Sequence, residues 1–355
     1  MIAEHEQELN LSTKTIPITE SDASMKTSFG AVMKKFLSAR ETGVFIALIL
    51  MSIFLSFATD SFFTVKNLLN IGRQVSLLGI MAIGMLYVLI SKEIDLSVGA
   101  TYALAAIVTG ILIVQQWPLW LTILIGLGMG LLVGLLIGVV STYGKLPSFI
   151  TTLGMMSVIR GAALLITDGK PVTVNERFGA DPVALQKFYF LAQGRLFDTI
   201  PMQLVFFAVI ILIAYILLAK TVFGFKIYAV GGSDRAARVS GIKVFNVKIS
   251  AFMIMGFLAA LAGILSLSFL PSAQAGRTGV GLELDVIAAP IIGGASLGGG
   301  EGTILGTVLG VFIVGILRNG LVLMGISPFW QEVAIGSVII LAVGVDKWTR
   351  ARREA

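Results

Sequence analysis

Side chains that could do chemistry are scarce in this sequence. The chain has 355 residues, 56% of them hydrophobic and 13% charged, with no cysteine and a single histidine, His5. Disulfides, thiolate metal sites and cysteine nucleophiles are therefore excluded, and His5 lies in a polar tail where no metal or triad site is expected. Such a composition is typical of a protein whose solvent is the lipid bilayer. We expect no catalytic residue, no metal and no cofactor-binding residue.

The few charges near apolar segments are the candidates for a polar route, because each costs about 2.5–3.5 kcal/mol near the centre of a membrane helix. Lys92, Glu93 and Asp95 lie in ISKEIDLSVGA, where we expect an interfacial turn to solvate them. Arg160 lies well inside an apolar segment, so it either pairs with a carboxylate such as Asp95 or Asp285 or lines the route. Six polar residues at or within apolar segments are candidates for the translocation path: Asp95, Ser97, Ser148, Thr151, Arg160 and Asn319.

One short basic stretch, GGSDRAARVSGIKV at 231–244, interrupts the apolar pattern of the second half. Ser233 is a good helix N-cap, and Asp234 complements the positive end of the helix dipole. Arg238 suits the last turn, and Gly241 supplies a stop. The pattern predicts an exposed helix of about two turns.

The middle of that helix carries Ala236 and Ala237, flanked by Arg235 and Arg238. Side chains this small would let the helix backbone enter a groove on another protein. The alternative is a solvated basic loop, which is common on the inner side of membrane proteins. On the first interpretation, Ala237→Trp would leave membrane insertion intact but would uncouple the activity of that other protein from uptake.

Apolar segments long enough to cross the bilayer, which takes about 20 residues, number about ten. Their predicted bounds are 43–59, 72–91, 96–115, 118–141, 149–167, 200–219, 249–269, 285–298, 303–322 and 330–346. The eighth carries Pro290 and a glycine cluster, so we expect it to be broken or partial. Gly126, Gly130, Gly134 and Gly138 recur at four-residue steps on the fourth, which predicts either tight helix packing or a sliding surface.

Lysine and arginine are concentrated before the first crossing, after the sixth and at the C-terminus. An even number of crossings places these three regions on one side, which the positive-inside rule identifies as cytoplasmic. We therefore predict a cytoplasmic tail over 1–42 with an amphipathic helix at 25–37, a transmembrane domain over 43–346 and a basic tail over 347–355. The chain is therefore expected to cross a membrane many times, with both ends on the cytoplasmic side.

Neither of two common energy sources is evident within the chain. A phosphate-binding loop requires G-x-x-x-x-G-K-[ST], and the nearest stretch, GVVSTYGKL at 138–146, has the wrong spacing. Ion coupling would need protonatable groups in the path, for which only the cluster of Glu93 and Asp95 is a candidate. An ion-coupled secondary transporter of a small polar solute therefore stays open as one possible function. A membrane-embedded enzyme is disfavoured, because the histidine, cysteine and carboxylate clusters that metal or nucleophilic chemistry requires are missing.

Several stretches together resemble the permease subunits of bacterial ABC importers for monosaccharides, of the ribose, galactose and xylose group, and most closely the ribose type. They are the basic stretch above, EIDLSVGA at 93–100, LPSFITTLGMMSVIRGAALLITDGKPV at 146–172, GLELDVIAAPIIGGASLGGGEGTILGTVLG at 281–310 and NGLVLMGISPFWQEVAIGSVIILAVGVD at 319–346. The resemblance covers roughly 43–346. Lys92 and Glu93 depart from it, because the ribose members have small residues there, and this weakens an assignment to ribose itself.

The resemblance implies an all-α polytopic protein of the type II ABC importer permease fold, working as a dimer with a second copy or a homologous permease. It implies a cytoplasmic ATPase partner with two nucleotide-binding halves, which would bind ATP and magnesium, and a periplasmic sugar-binding protein. No nucleic acid is implied, membrane lipid surrounds the chain, and the implied location is the cytoplasmic (inner) membrane of a bacterium. The residues that would couple it to the ATPase lie in a cytoplasmic coupling segment at about 220–248, and they are Ser233, Asp234, Arg235, Ala236, Ala237, Arg238 and Gly241.

Overall fold

The structure, a computed structural model, describes residues 40–327, 329–337, 340, 341 and 344. Two units, Met1–Ala39 and Arg40–Ala355, divide the chain, and every described residue belongs to the second. The predicted amphipathic helix at 25–37 and the basic tail at 347–355 lie outside the described residues.

Helices dominate the described part of the chain. Their bounds are α1 Arg40–Ala58, α2 Val65–Ile90, α3 Val98–Val114, α4 Leu119–Tyr143, α5 Ser148–Thr167, α6 Pro182–Gln193, α7 Met202–Lys220, α8 Val222–Gly232, α9 Asp234–Val239, α10 Val244–Phe269, α11 Leu282–Ile292 and α12 Ile304–Leu323. Residues 329–337 are also helical. Two antiparallel pairs of two-residue strands complete the fold: β1 Val172–Thr173 with β4 Ser272–Ala273, and β2 Arg195–Leu196 with β3 Ile200–Pro201.

Seven of the described helices are long and apolar enough to cross a membrane: α1, α2, α4, α5, α7, α10 and α12. Helix α3, at 17 residues, and α8, at 11, are apolar but shorter. The predicted all-α polytopic fold is confirmed. Most crossings fall within a few residues of their predicted bounds, but α2 begins seven residues earlier than predicted and α10 five.

The predicted eighth crossing is interrupted. Helix α11 has eleven residues and so spans about 16 Å, roughly half of the hydrocarbon layer. It ends at Gly293, and Gly294 adopts a left-handed conformation with φ of 92° that allows the chain to leave the helix. Of the predicted tenth crossing, the described residues include the helical stretch 329–337.

Helices α2 and α10 form the centre of the bundle. Of the residues in their most apolar stretch, 83% and 67% are buried, against 11% for α1 and 22% for α5 and α7. Helix α10 packs against α2, α3 and α4. The peripheral helices present apolar side chains such as Phe57 and Leu165 outward, as a lipid-facing surface requires.

The predicted glycine row on α4 packs against α10 through backbone atoms. A methyl group added at Gly134 would lie 2.8 Å from the Met253 Cα, and one added at Gly138 would lie 2.9 Å from the Ile249 Cα. A methyl group at Gly130 would overlap the Gly256 carbonyl, and the reverse holds for Gly256. The row therefore packs tightly against α10, as predicted, and its use as a sliding surface stays a prediction.

Candidate functional site

The basic stretch folds into the short helix that the sequence predicts. Helix α9 has six residues, just under two turns, and the Ser233 side chain caps it by accepting a hydrogen bond of 3.2 Å from the Ala236 amide. The helix carries Asp234 in its first turn and Arg238 in its last. Gly241 follows with a φ of 79°, a left-handed conformation that glycine adopts without strain.

The exposed face of α9 differs from the predicted one. Ala236 is exposed, but Ala237 is only 3% exposed and faces the protein's own core. Successive residues of an α-helix point about 100° apart, so two neighbouring alanines do not share one face. Besides Arg238, which packs over the Phe245 ring, the exposed residues of α9 are Arg235, Ala236 and Val239, and Val239 is 86% exposed.

Close contacts surround the end of α8, directly before α9. The Gly300 amide donates a hydrogen bond of 2.9 Å to the Ile90 carbonyl, and the Tyr228 hydroxyl donates one of 2.6 Å to the Gly302 carbonyl. A methyl group at Gly231 would overlap both the Ile90 carbonyl and the Gly300 amide. The loop at 293–302, which follows α11, and the end of α2 therefore meet at Gly231, three residues before the start of α9.

The predicted coupling segment, 220–248, contains a further helix that the sequence reading missed. Helix α8 precedes α9, and the Thr221 hydroxyl caps it by accepting from the Gly224 amide at 3.3 Å. A threonine N-cap followed by an apolar stretch that ends in two glycines is the signal that would have found it. Together α8 and α9 form a helical unit between α7 and α10.

An ion cluster that the sequence reading also missed joins α9 to the segment between α2 and α3. The Lys248 Nζ lies 2.8 Å from Glu93 Oε1 and 2.8 Å from Asp234 Oδ2. The side chains of Lys248 and Glu93 are 12% and 13% exposed, and that of Asp234 is 40% exposed. From the sequence alone, Lys248 is only one of the basic residues after the sixth crossing, because residues 93 and 248 are too distant in sequence to indicate a pair.

Asp95 is buried, so the expectation that an interfacial turn solvates it is wrong. The residue is 2% exposed, and Asp95 Oδ1 accepts hydrogen bonds from the Ser97 amide at 2.8 Å and the Ser97 hydroxyl at 2.6 Å. Burial raises the pKa of the Asp95 carboxyl, while the Ser97 hydrogen bonds oppose that rise. These two path candidates therefore bond to each other.

Helix α5 braces the same segment through its first turn. The Ile94 amide donates to the Ser148 hydroxyl at 3.2 Å, and the Thr152 hydroxyl lies 3.4 Å from the Ile94 carbonyl. Thr151, another path candidate, is 6% exposed, and its hydroxyl has no hydrogen-bond partner in the described part of the chain. Three of the six path candidates are thus close together: Asp95 and Ser97 belong to the segment 91–97, and Ser148 is bonded to it.

Arg160 pairs with neither of the two carboxylates proposed for it. Its Nη1 donates to the Ala275 carbonyl at 2.9 Å and lies 3.5 Å from the Thr278 carbonyl, so it braces the turn before α11. Asp285 instead pairs with Arg318, with 2.7 Å between Oδ2 and Nη2. A cation this long can reach carbonyl groups on another element, which sequence spacing alone does not reveal.

Asn319, the last path candidate, lies apart from the others. Its side-chain amide and that of Asn67 exchange two hydrogen bonds, of 2.8 and 3.0 Å, and both residues are buried. This reciprocal pair joins α2 to α12. Asn319 therefore has a packing role in the structure, and the translocation path through the six candidates stays a prediction.

Comparison with known proteins gives consistent matches along the chain. Residues 67–343 match the family model described as branched-chain amino acid transport system / permease component. The ribose import permease of Bacillus subtilis strain 168 is 41% identical over 90% of this chain and 94% of its own length, and that of Haemophilus influenzae is 38% identical over 87% and 94%. The xylose transport system permease of Escherichia coli strain K12 is 32% identical over 94% and 98%. No solved structure matches the chain.

Proposed function

Because this chain belongs to the permease family described as branched-chain amino acid transport system / permease component, we propose that it is the membrane-spanning subunit of an ATP-driven sugar importer. The solute is a monosaccharide, either a ribose-like pentose, a hexose or a related polyol, and a periplasmic binding protein delivers it. The chain provides the route through the membrane. ATP and magnesium are bound by a separate cytoplasmic ATPase with two nucleotide-binding halves.

The relatives support a sugar rather than an amino acid as the solute. The family description mentions branched-chain amino acids, but the relatives that cover nearly the whole chain at 32–41% identity are named for ribose and xylose. Similarity over full length is the more specific of the two indications. The choice among sugars rests with the binding protein, since a permease of this kind needs only a weak transient site.

Helix α9 is the observation that carries the energy-coupling part of the proposal. It is a short, capped helix that exposes Arg235, Ala236 and Val239, and close contacts at Gly231 hold the chain directly before it. These features suit an element that transmits the movement of another protein. The ATPase docks on this face, and ATP-driven closure tilts groups of helices to open the route alternately on either side. The coupling segment 220–248 and both termini lie in the cytoplasm, as the positive-inside rule predicts.

Two permease subunits, either identical or homologous, complete the pore. In the bacterial inner membrane, the connection between α5 and α7, which contains α6 and the strands β1 to β3, faces the periplasm, where the binding protein docks. Its four bases and four acids between 168 and 199 balance, as is typical of an external loop.

The function is tested by uptake into proteoliposomes that contain the permease, the ATPase encoded beside it and its binding protein. We expect uptake of radiolabelled ribose or xylose that depends on internal ATP and on the binding protein, and that continues when a protonophore dissipates the proton gradient. Uptake that survives without ATP but stops with the protonophore would instead establish an ion-coupled secondary transporter.

The docking face is tested by Ala236→Trp. A tryptophan at this exposed position would hold the ATPase surface away from α9, so ATP-dependent uptake should fall at least about tenfold while the permease still inserts and purifies normally. Ala219→Trp, the same change at an exposed alanine of α7, serves as the matched control and should transport normally. Normal uptake by Ala236→Trp would contradict docking on α9. Ala237→Trp is unsuitable because Ala237 is buried and the change would disturb folding.

A further inference from the structure

We propose that Lys248 is a positioning residue that transmits movement of α9 to the segment 91–97, so that it sets how much sugar is moved per ATP hydrolysed. This inference rests on the proposed function and assigns a role within it to the ion cluster of Lys248, Glu93 and Asp234, called the clasp below.

The clasp joins three elements at one nitrogen atom. Lys248 lies in the second turn of α10, Asp234 begins α9, and Glu93 lies between α2 and α3. Both Nζ to oxygen distances are 2.8 Å, which is typical of a charge-assisted hydrogen bond. Since Lys248 is mostly buried, solvent and salt screen the two pairs less than an exposed pair.

A cavity of about 400 Å³ lies beside the clasp. Its lining includes all three clasp residues together with Lys145 and Arg238. The two ion pairs connect residues on the wall of this cavity, as does the contact between Arg238 and the Phe245 ring. They can keep the connected elements together while the distances around the cavity change.

On the side facing the membrane, the clasp leads directly into the polar segment. Glu93 is followed by Ile94, whose amide bonds to Ser148 of α5, and by Asp95, which bonds to Ser97 at the start of α3. A displacement of Asp234 that moves Lys248 therefore reaches the start of α3 and the start of α5 through three further hydrogen bonds.

The clasp is not required to keep α9 in place. The Arg238 guanidinium lies over the Phe245 ring, 5.0 Å from its centroid, and Ala237 is buried against the core. The backbone contacts of Gly231 also remain when Lys248 is changed. Loss of the clasp should thus spare docking and assembly and alter transmission.

The test is the number of sugar molecules taken up per ATP hydrolysed, measured in the complete reconstituted complex. Lys248→Gln removes the charge at similar length and should lower this ratio about fivefold or more, which corresponds to the low end of typical coupling between sites. Lys248→Arg keeps the charge and should restore most of it. Lys66→Gln, at an exposed lysine in the first turn of α2 and outside the coupling segment, is the matched control and should leave the ratio unchanged.

Substitution of each acidic residue tests one of the two ion pairs of the clasp separately. Glu93→Gln should lower the ratio by breaking the connection to the polar segment, and Asp234→Asn should do so by breaking the connection to α9. If the pairs act as one path, Glu93→Gln combined with Lys248→Gln should be no worse than Lys248→Gln alone. Should Lys248→Gln fail to fold, Glu93→Gln carries the test.

Three outcomes overturn the inference. They are an unchanged ratio in both Lys248→Gln and Glu93→Gln, a Lys248→Arg variant as impaired as Lys248→Gln, and loss of the ATPase from the purified Lys248→Gln complex, which would show that the cluster serves assembly. Failure of the proposed function is distinguishable from all three, because the unmodified complex itself would then show no ATP-driven sugar uptake.

Discussion

Gly134→Leu should prevent the permease from accumulating in a folded form. The backbones of α4 and α10 are in contact at this point, with the Phe252 carbonyl and the Met253 Cα against Gly134, so a leucine side chain has no space. The helices would have to separate along their whole contact, including Gly130 and Gly256. We expect a cost of at least about 3 kcal/mol, the upper part of the range for overpacked cores.

The same substitution six residues earlier provides the control. A methyl group added at Gly128 would meet nothing within 4 Å, and Gly128 lies on the same helix as Gly134. Gly128→Leu should therefore give the normal amount of monodisperse protein after detergent extraction, as measured by size-exclusion chromatography. Comparable yields for the two variants would show that the contact between α4 and α10 is not a close backbone contact.

Much of the helical pattern could be predicted from the sequence, because apolar length alone identifies crossing helices. The early start of α2 was missed because its first turns carry Lys66, Asn67 and Arg73, which a search for apolar residues rejects. The cap that Thr64 provides by accepting from the Asn67 amide marks the true beginning. Local capping chemistry, rather than hydropathy, sets such a boundary.

The site was predicted less completely than the helices. The cap and stop of α9 depend on neighbouring residues and were predicted correctly, since Ser233 and Gly241 act locally. The burial of Ala237 depends on which side of α9 faces the core, and a helix of six residues is too short to show a reliable apolar period. The partners of Lys248 depend on elements far apart in sequence.

Charges inside the bundle illustrate the same limit. The sequence shows that Arg160 and Asp285 need partners, because unpaired charges are costly there. It does not show that carbonyl groups of the turn before α11 satisfy Arg160 while Arg318 takes the carboxylate. The choice depends on how helices are arranged around one another, and three-dimensional contacts decide it.

Arg318→Leu should be the most destabilising change at the pair between Asp285 and Arg318. The Asp285 side chain is 5% exposed, so without the guanidinium 2.7 Å away its carboxyl is left buried and unpaired. Removing one partner of a buried ion pair costs about 3–5 kcal/mol. Asp285→Leu should cost less, because Arg318 is 29% exposed and still has Glu332 at 3.5 Å.

Removing both charges distinguishes a true pair from two separate effects. Asp285→Leu combined with Arg318→Leu should be more stable than Arg318→Leu alone, since no buried charge is left unpaired. The free energy of unfolding, from a sodium dodecyl sulfate titration in mixed micelles, measures each variant. Asp168→Asn, which breaks the exposed pair with Lys170, is the control and should leave the stability unchanged. Additive losses in the double variant would mean that the two side chains stabilise the bundle independently, and that α11, although only eleven residues long, is held in place by packing rather than by this charge.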